Sequence, residues 1–312
     1  MEDDRAPVSV LLPTTRWGRA CDQLSAMLGP ADELLVLCDS ESDPVAAVTP
    51  PAGVRILVAG EPDSCSGKAN ALALGMEAAS HDRLVWTDDD FSREADWLET
   101  LIAAGETHGP ATAIPLFAGS RWWRVVEPWF AVLFLVGLYH QLGSVENIAW
   151  GGGVTFTRTE LTTSVSAFAE ELRTVLSDDY LLTQRLETVH PVTALITHVE
   201  VPGDARSVYN RVVRFGRIVW LNEGYTLAMI ATVALSVLGL LNPILTAPPV
   251  TALVALLYRR YGLRGRNYLL AWPAFVLAPL VLGLGVLVEE FEWGGRRYRY
   301  TATSVELATR RS

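Results

Sequence analysis

The chain has 312 residues, a formal net charge of −10 and a hydrophobic content of 50%, with a mean hydropathy of +0.25. An acidic chain without a basic stripe is a poor nucleic-acid surface, so no nucleic-acid partner is expected. The length allows one large domain or two modest ones, and the hydropathy is high for a protein that never meets lipid. Cys21, Cys38 and Cys65 are too widely spaced for a disulfide framework or a metal pair and are expected to be buried or half-buried thiols. The 25 basic residues are 24 arginines and one lysine, Lys68. That balance suits a salt-rich cytoplasm, where carboxylates keep a surface hydrated; a high-GC genome would also favour arginine.

The N-terminal MEDDRAPVSVLLP is acidic and enters a strand directly, which is not a signal-peptide pattern. Residues 1–120 then alternate. VSVLL (8–12), ELLVLC (33–38), VRILVA (54–59) and RLVWT (83–87) are short apolar runs, separated by helical stretches such as 66–79 and 94–104. This rhythm predicts an α/β fold with a doubly wound, mostly parallel sheet. Residues 128–145, with Trp122, Trp123 and Trp129 at one end, predict a helix at a lipid interface over about 124–143. His140 lies within it; His81, His108, His190 and His198 have no ligand spacing and are expected on the surface or in loops.

The last third is different. Residues 224–258 are free of charge, which is about 50 Å of helix, enough for one full span and part of a second, with NPILTAPP (242–249) as the break. Residues 267–288 make another uncharged run of about 33 Å, in which Pro273 and Pro279 allow the chain to enter and return. Arg259, Arg260, Arg264 and Arg266 mark the intervening loop as cytoplasmic, yet the tail is arginine-rich too. The expected organisation is a cytoplasmic domain over 1–220, transmembrane helices over 221–291 and a basic tail over 292–312.

Ligands of a parallel sheet collect at the carboxyl ends of its strands. There ELLVLC runs into Asp39 and RLVWT into Asp88, Asp89 and Asp90, while Asp178 and Asp179 open a later helix. One such aspartate would be read as a turn or N-cap residue. Three in a row repel one another unless a cation offsets them, and a hard divalent ion bridging carboxylate and phosphate oxygens meets that need.

Together these segments resemble the family 2 glycosyltransferases of GT-A fold, and more closely their ceramide glucosyltransferase-like relatives (family 21), in a chain whose composition points to a haloarchaeal source. VSVLLPTTRW is similar to the first strand, with Pro13 and Thr14 on the nucleotide side, and Asp39 matches the aspartate that holds the nucleoside. Asp88 and Asp90 match the ends of the D-x-D signature, Asp90 being the metal ligand with help from Asp88, and Asp89 lies between them. SGKANALALG resembles the G-K-x-x-A-L segment, which puts Lys68 against the donor. NIAWGGGVTFTR brings Gly151, Gly152 and Gly153 to the donor sugar. SDDYLL makes Asp179 the general base beside Asp178, and RVVRF places Arg211 and Arg214 in a [QR]-x-x-R-W-like motif, with Phe215 where the motif has tryptophan. WGGRRYRY (293–300) is similar to the sequence after the last membrane helix.

The resemblance implies a GT-A domain followed by C-terminal transmembrane helices, a nucleotide-sugar donor such as UDP-glucose, a lipid acceptor, Mg²⁺ or Mn²⁺, and inversion at the sugar. The alternatives are a processive polysaccharide synthase, which needs more spans for its channel, and an inactive nucleotide-binding membrane protein, against which the intact aspartates stand. A lysine at a helix start faces an unfavourable dipole, a cost that a nearby phosphate would remove.

Overall fold

The computed structural model describes residues 5–133, 148–221, 226–263 and 265–310. Contacts divide the chain into two units, Met1–Pro115 with Glu146–Thr197 and Leu116–Val145 with His198–Ser312. His140, Arg264 and the 134–143 part of the expected interfacial helix lie outside the described residues.

The main sheet has seven strands: β1 (Val8–Pro13), β2 (Glu33–Cys38), β3 (Val54–Val58), β4 (Arg83–Thr87), β5 (Ala111–Gly119), β6 (Gly153–Thr157) and β7 (His190–Val201), in the order β3-β2-β1-β4-β6-β5-β7. β1, β2, β3 and β4 pair in parallel, at the positions their apolar runs predict. β6 runs antiparallel to both β4 and β5, so the sheet is mixed on that side. β1 is buried from Val8 to Leu12, and β2 along its whole length, as expected of strands covered on both faces.

Helices α1 (Arg19–Met27), α2 (Gly67–Ala78) and α3 (Trp97–His108) follow β1, β3 and β4, and α5 (Val165–Leu172) and α6 (Asp178–Arg185) follow β6. α2 lies so close to the sheet that a Cβ on Gly75 would stand 2.7 Å from side-chain carbons of Leu11 and Leu37. Trp86 fills the space beyond it, stacked on Phe168 at 6.0 Å and edge-on to Phe156 at 5.5 Å. α2 and α5 are therefore held by packing against the sheet. His190 and His198 sit exposed in β7 rather than in a loop, and the His108 and His190 rings stack at 4.0 Å. All three cysteines are free and buried.

The second unit holds α4 (Trp123–Val132), α7 (Ala205–Leu221), α8 (Thr226–Leu241), α9 (Pro243–Arg260) and α10 (Ala271–Leu287). Trp123 and Trp129 of α4 are buried in protein and Trp122 is exposed, so the tryptophans do not form the lipid-facing group expected of them. Buried Glu127 accepts hydrogen bonds from Tyr258 Oη and Asn267 Nδ2, both at 2.8 Å, and from the Gly119 N–H at 3.0 Å. The chain breaks at Asn242, where expected, but Pro248 and Pro249 do not stop α9. α10 runs unbroken through Pro279, which corrects the expectation that this stretch turns back within a bilayer.

With the 3₁₀ turn before it, α10 gives a 21-residue helical stretch, Asn267–Leu287, of mean hydropathy 2.1. Among the described residues it is the one helix long and apolar enough to cross a membrane; Met229–Leu241 is apolar but shorter. The tail is a small antiparallel sheet, β8 (Glu290–Trp293), β9 (Arg296–Tyr300) and β10 (Val305–Arg310), in the order β10-β9-β8. Buried Arg217 of α7 donates to the carbonyls of Tyr300 (2.8 Å) and Val286 (3.1 Å), tying this sheet to the helices.

Because Phe168 is fully buried against Trp86, Phe168→Ala should cost about 3–5 kcal/mol by denaturant unfolding. A loss under about 1 kcal/mol would mean that this packing does not hold the α2 side of the sheet together.

Candidate active site

The carboxyl ends of β1, β2 and β4 open on one edge of the first unit, and the antiparallel β6 brings its N-terminal end to the same edge, with Gly153 opposite Thr87. Pro13 ends β1, and the next residue, Thr14, donates its hydroxyl to Asp89 Oδ2 at 2.6 Å, tying that strand end to the aspartate turn. Asp39 follows β2, its N–H held by Asp43 Oδ2 at 2.9 Å. One strand, β1, lies between β2 and β4, so Asp39 and Asp88 leave the sheet about 10 Å apart, a gap of nucleotide size.

The centre of the cluster is Lys68. Ser66 caps α2 by accepting from the Ala69 N–H, which places Lys68 in the first turn. Its Nζ stands 2.7 Å from Asp88 Oδ1, 3.0 Å from Asp178 Oδ2 and 3.9 Å from Asp179 Oδ1. The helix-dipole cost is thus offset by carboxylates of the protein itself. Burial alone would depress the ammonium's pKa, but Asp178, Asp88 and Asp179 outweigh it and hold the group well above its ordinary range.

Asp178 and Asp179 open α6 beneath the Ser177 cap. The Asp178 side chain is 3% exposed and its Oδ2 accepts no hydrogen bond, so the Lys68 ammonium is the charge set against it. Asp179 is 35% exposed, reachable from solvent, and accepts from the Gly151 N–H at 2.7 Å. A Cβ on Gly151 would lie 2.5 Å from oxygens of both Asp178 and Asp179, so the backbone can approach only as glycine. Burial and then the Asp178 charge push the Asp179 carboxyl up to about 8; Lys68 and the Gly151 N–H pull it down, and Asp88 adds to the rise. Gly152 O accepts from Thr87 Oγ1 at 3.1 Å, which ties the glycine segment to the base of the aspartate turn.

Arg93 was not singled out by the sequence reading. It is buried behind the turn, donates to Thr87 Oγ1 at 2.5 Å and to the carbonyls of Asp88 and Phe91, and lies over the Phe91 ring at 3.9 Å. Burial lowers its pKa to about 10 against the raising effect of Asp88, Asp90 and Asp89. The signal was an arginine three residues after DDD, in DDDFSR. Thr183 was also passed over; it accepts from the Ala149 N–H at 3.0 Å and donates to the Asp179 carbonyl at 2.7 Å, joining the glycine segment to α6.

The cluster is built within the first unit. Arg211 and Arg214 belong to the second, on α7, where Arg211 lies over the Phe117 ring at 5.3 Å and Arg214 over the Trp293 ring at 4.3 Å. Phe215 packs against Phe117 at 5.7 Å and Phe130 at 5.5 Å, which uses the aromatic face without needing an indole N–H.

Asp88 and exposed Asp90 fit a hard divalent cation in chemical type. Among the described residues no three carboxylate, imidazole or thiolate groups gather into a closed metal cage. Two carboxylates suffice for Mg²⁺ or Mn²⁺ when substrate phosphates complete the ligand set.

Residues 19–154 match the family model described as Glycosyl transferase family 2. This part of the chain is similar to family 2 glycosyltransferase domains. The matched stretch lies in the α/β fold described above and includes Asp39, Lys68, Asp88–Asp90 and Gly151–Gly153. A search of curated proteins finds no match. Among solved structures the chain is similar to glucosyl-3-phosphoglycerate synthase from Mycobacterium tuberculosis in complex with Mn²⁺, uridine-diphosphate and glucosyl-3-phosphoglycerate, at 18% identity and a TM-score of 0.40 over 67% of this chain and 78% of that one. It is also similar to mannosyl-3-phosphoglycerate synthase from Rubrobacter xylanophilus, at 14% identity and a TM-score of 0.38 over 68% and 75%.

A carboxyl that titrates near 8 must lose its proton before it can act as a base. If Asp179 is that base, kcat/KM should climb between pH 6 and about 8 and level off above. A pH–rate profile that is flat across this range would exclude Asp179 from the role.

Proposed function

We propose that the chain is a membrane-bound, inverting glycosyltransferase that moves a sugar from a nucleotide-sugar, UDP-glucose-like, to a lipid hydroxyl or lipid phosphate at the cytoplasmic face. The observation that carries the catalytic part is Asp179: a solvent-reachable carboxylate with raised pKa, oriented by the Gly151 N–H, on the strand edge that also presents Asp88 and Asp90.

The acceptor oxygen attacks C1 of the sugar while the bond from C1 to the diphosphate oxygen breaks. Asp179 takes the acceptor proton, a contribution of roughly 10²–10⁴ in rate. Attack opposite the leaving group inverts the anomeric centre in one step, without a nucleophilic side chain. Asp39 would hold the nucleoside, with Pro13, Thr14 and Asp89 lining that side, and Gly151, Gly152 and Gly153 let the sugar lie against backbone. Mg²⁺ or Mn²⁺ on Asp90 and Asp88 would neutralise charge on the leaving diphosphate. Lys68 would add a compact positive charge toward the phosphates.

The lipid part rests on the second unit. Leu241, Ile244, Leu245, Leu256, Leu280 and Leu287 are each 65–87% exposed on α8, α9 and α10. Scattered apolar residues are normal on a water-facing surface, but long helices with this many bare leucines favour lipid as the covering phase. α8, α9 and α10 measure roughly 24–27 Å each, close to a hydrocarbon core.

The test is incubation of the purified chain in detergent with a panel of radiolabelled nucleotide-sugars and total membrane lipid, with and without Mn²⁺. The expected result is a labelled lipid that requires metal, lost in Asp179→Asn while that variant still binds nucleotide with metal. Transfer by Asp179→Asn would refute the base assignment, and label in a growing polymer or in no product would refute the lipid-transferase reading.

A further inference from the structure

The Lys68 cluster has a feature that the proposed chemistry leaves unexplained. Asp88, a residue that would hold the divalent cation, already has a cation on it. Lys68 Nζ lies 2.7 Å from Asp88 Oδ1, at hydrogen-bonding distance, and the same ammonium faces the almost fully buried Asp178 at 3.0 Å. Lys68 is itself only 15% exposed, so its charge is weakly screened by water.

Lys68 contacts Oδ1 of Asp88, so a metal on the other oxygen of that carboxylate would stand close to the ammonium. At such separations two positive charges repel strongly even in a partly solvated site. Yet Lys68 cannot simply swing into solvent, because it would leave Asp178 buried without a counter-charge and without a hydrogen bond on Oδ2. A ligand that frees Asp88 must therefore offer the ammonium something in exchange. A diphosphate does so: it brings negative oxygens for Lys68 and further oxygen ligands for a metal.

We infer that Lys68 is an internal cation lock, which occupies Asp88 in the donor-free protein and gives it up only when a nucleoside diphosphate group arrives, so that metal and donor load together. This deepens the glycosyltransferase reading and rests on it for the identity of the diphosphate. Lys68 is here a positioning residue acting through Asp88. The choice of lysine follows from the same geometry: a point charge fits among three carboxylates, whereas the wide planar fork of arginine does not. In a chain of 24 arginines and one lysine, this is where the lysine is found.

The experiment reads metal binding rather than turnover. Mn²⁺ is titrated into the intact chain in detergent without nucleotide, and free Mn²⁺ is followed by electron paramagnetic resonance. Lys68→Gln should bind Mn²⁺ at least about tenfold more tightly than wild type, since the repulsion at Asp88 is gone. A purely structural lysine would give equal or weaker binding in the variant, and that result overturns the lock. If Lys68→Gln does not fold by circular dichroism, the double variant Asp178→Asn, Lys68→Gln, which removes one charge of each sign, serves for the same comparison with the same two outcomes. Equilibrium dialysis with labelled UDP and GDP runs in parallel. If neither nucleotide binds, the donor assignment fails, while the Mn²⁺ comparison still decides the lock.

Discussion

One ammonium among three carboxylates organises the first unit. Lys68, Asp88, Asp178 and Asp179 come from α2, the end of β4 and the start of α6, segments up to 111 residues apart in the chain (179 − 68 = 111). Like charges packed at this density hold together only when a cation is placed among them. The fold supplies it by pressing α2 against the sheet and by running β6 antiparallel, so that Gly151 can slip between α2 and α6. Behind the same turn, the buried Arg93 holds the strand end from the other side. The aspartates thus sit in a frame of positive charge with open faces toward solvent.

That frame separates two jobs for one residue type. Asp178, buried and facing Lys68, is a structural charge. Asp179, next in sequence but partly exposed, is free to exchange a proton. The two side chains differ in solvent exposure, 3% for Asp178 against 35% for Asp179. The second unit exposes many apolar side chains on α8, α9 and α10 and also buries polar ones, such as Glu127 and Arg217.

Much of this was legible in the sequence. The four parallel strands were marked by their apolar runs and ended at Cys38 and Thr87 as read, because a strand covered on both faces must be continuously apolar. That Asp88, Asp178 and Asp179 share one site was an expectation from the family resemblance, and the structure brings all three to Lys68. What could not be read was direction: nothing in GVTFT reveals that β6 runs antiparallel, and apolar periodicity does not distinguish a proline-broken hairpin from α10, which continues through Pro279. Nor could sequence show that the partner of Lys68 would be protein carboxylate, since that depends on three segments meeting. Arg93 was hidden for the same reason: its role is set by burial, and a single arginine in a loop carries no burial signal.

The central claim is a single displacement at the sugar with Asp179 as base and no covalent intermediate. Its most direct test is the anomeric configuration of the first product, read by proton NMR from a reaction with an α-linked nucleotide-sugar. The account predicts a β-linked product. An α-linked product would mean retention, which a lone base cannot give in one in-line step, and would contradict the account.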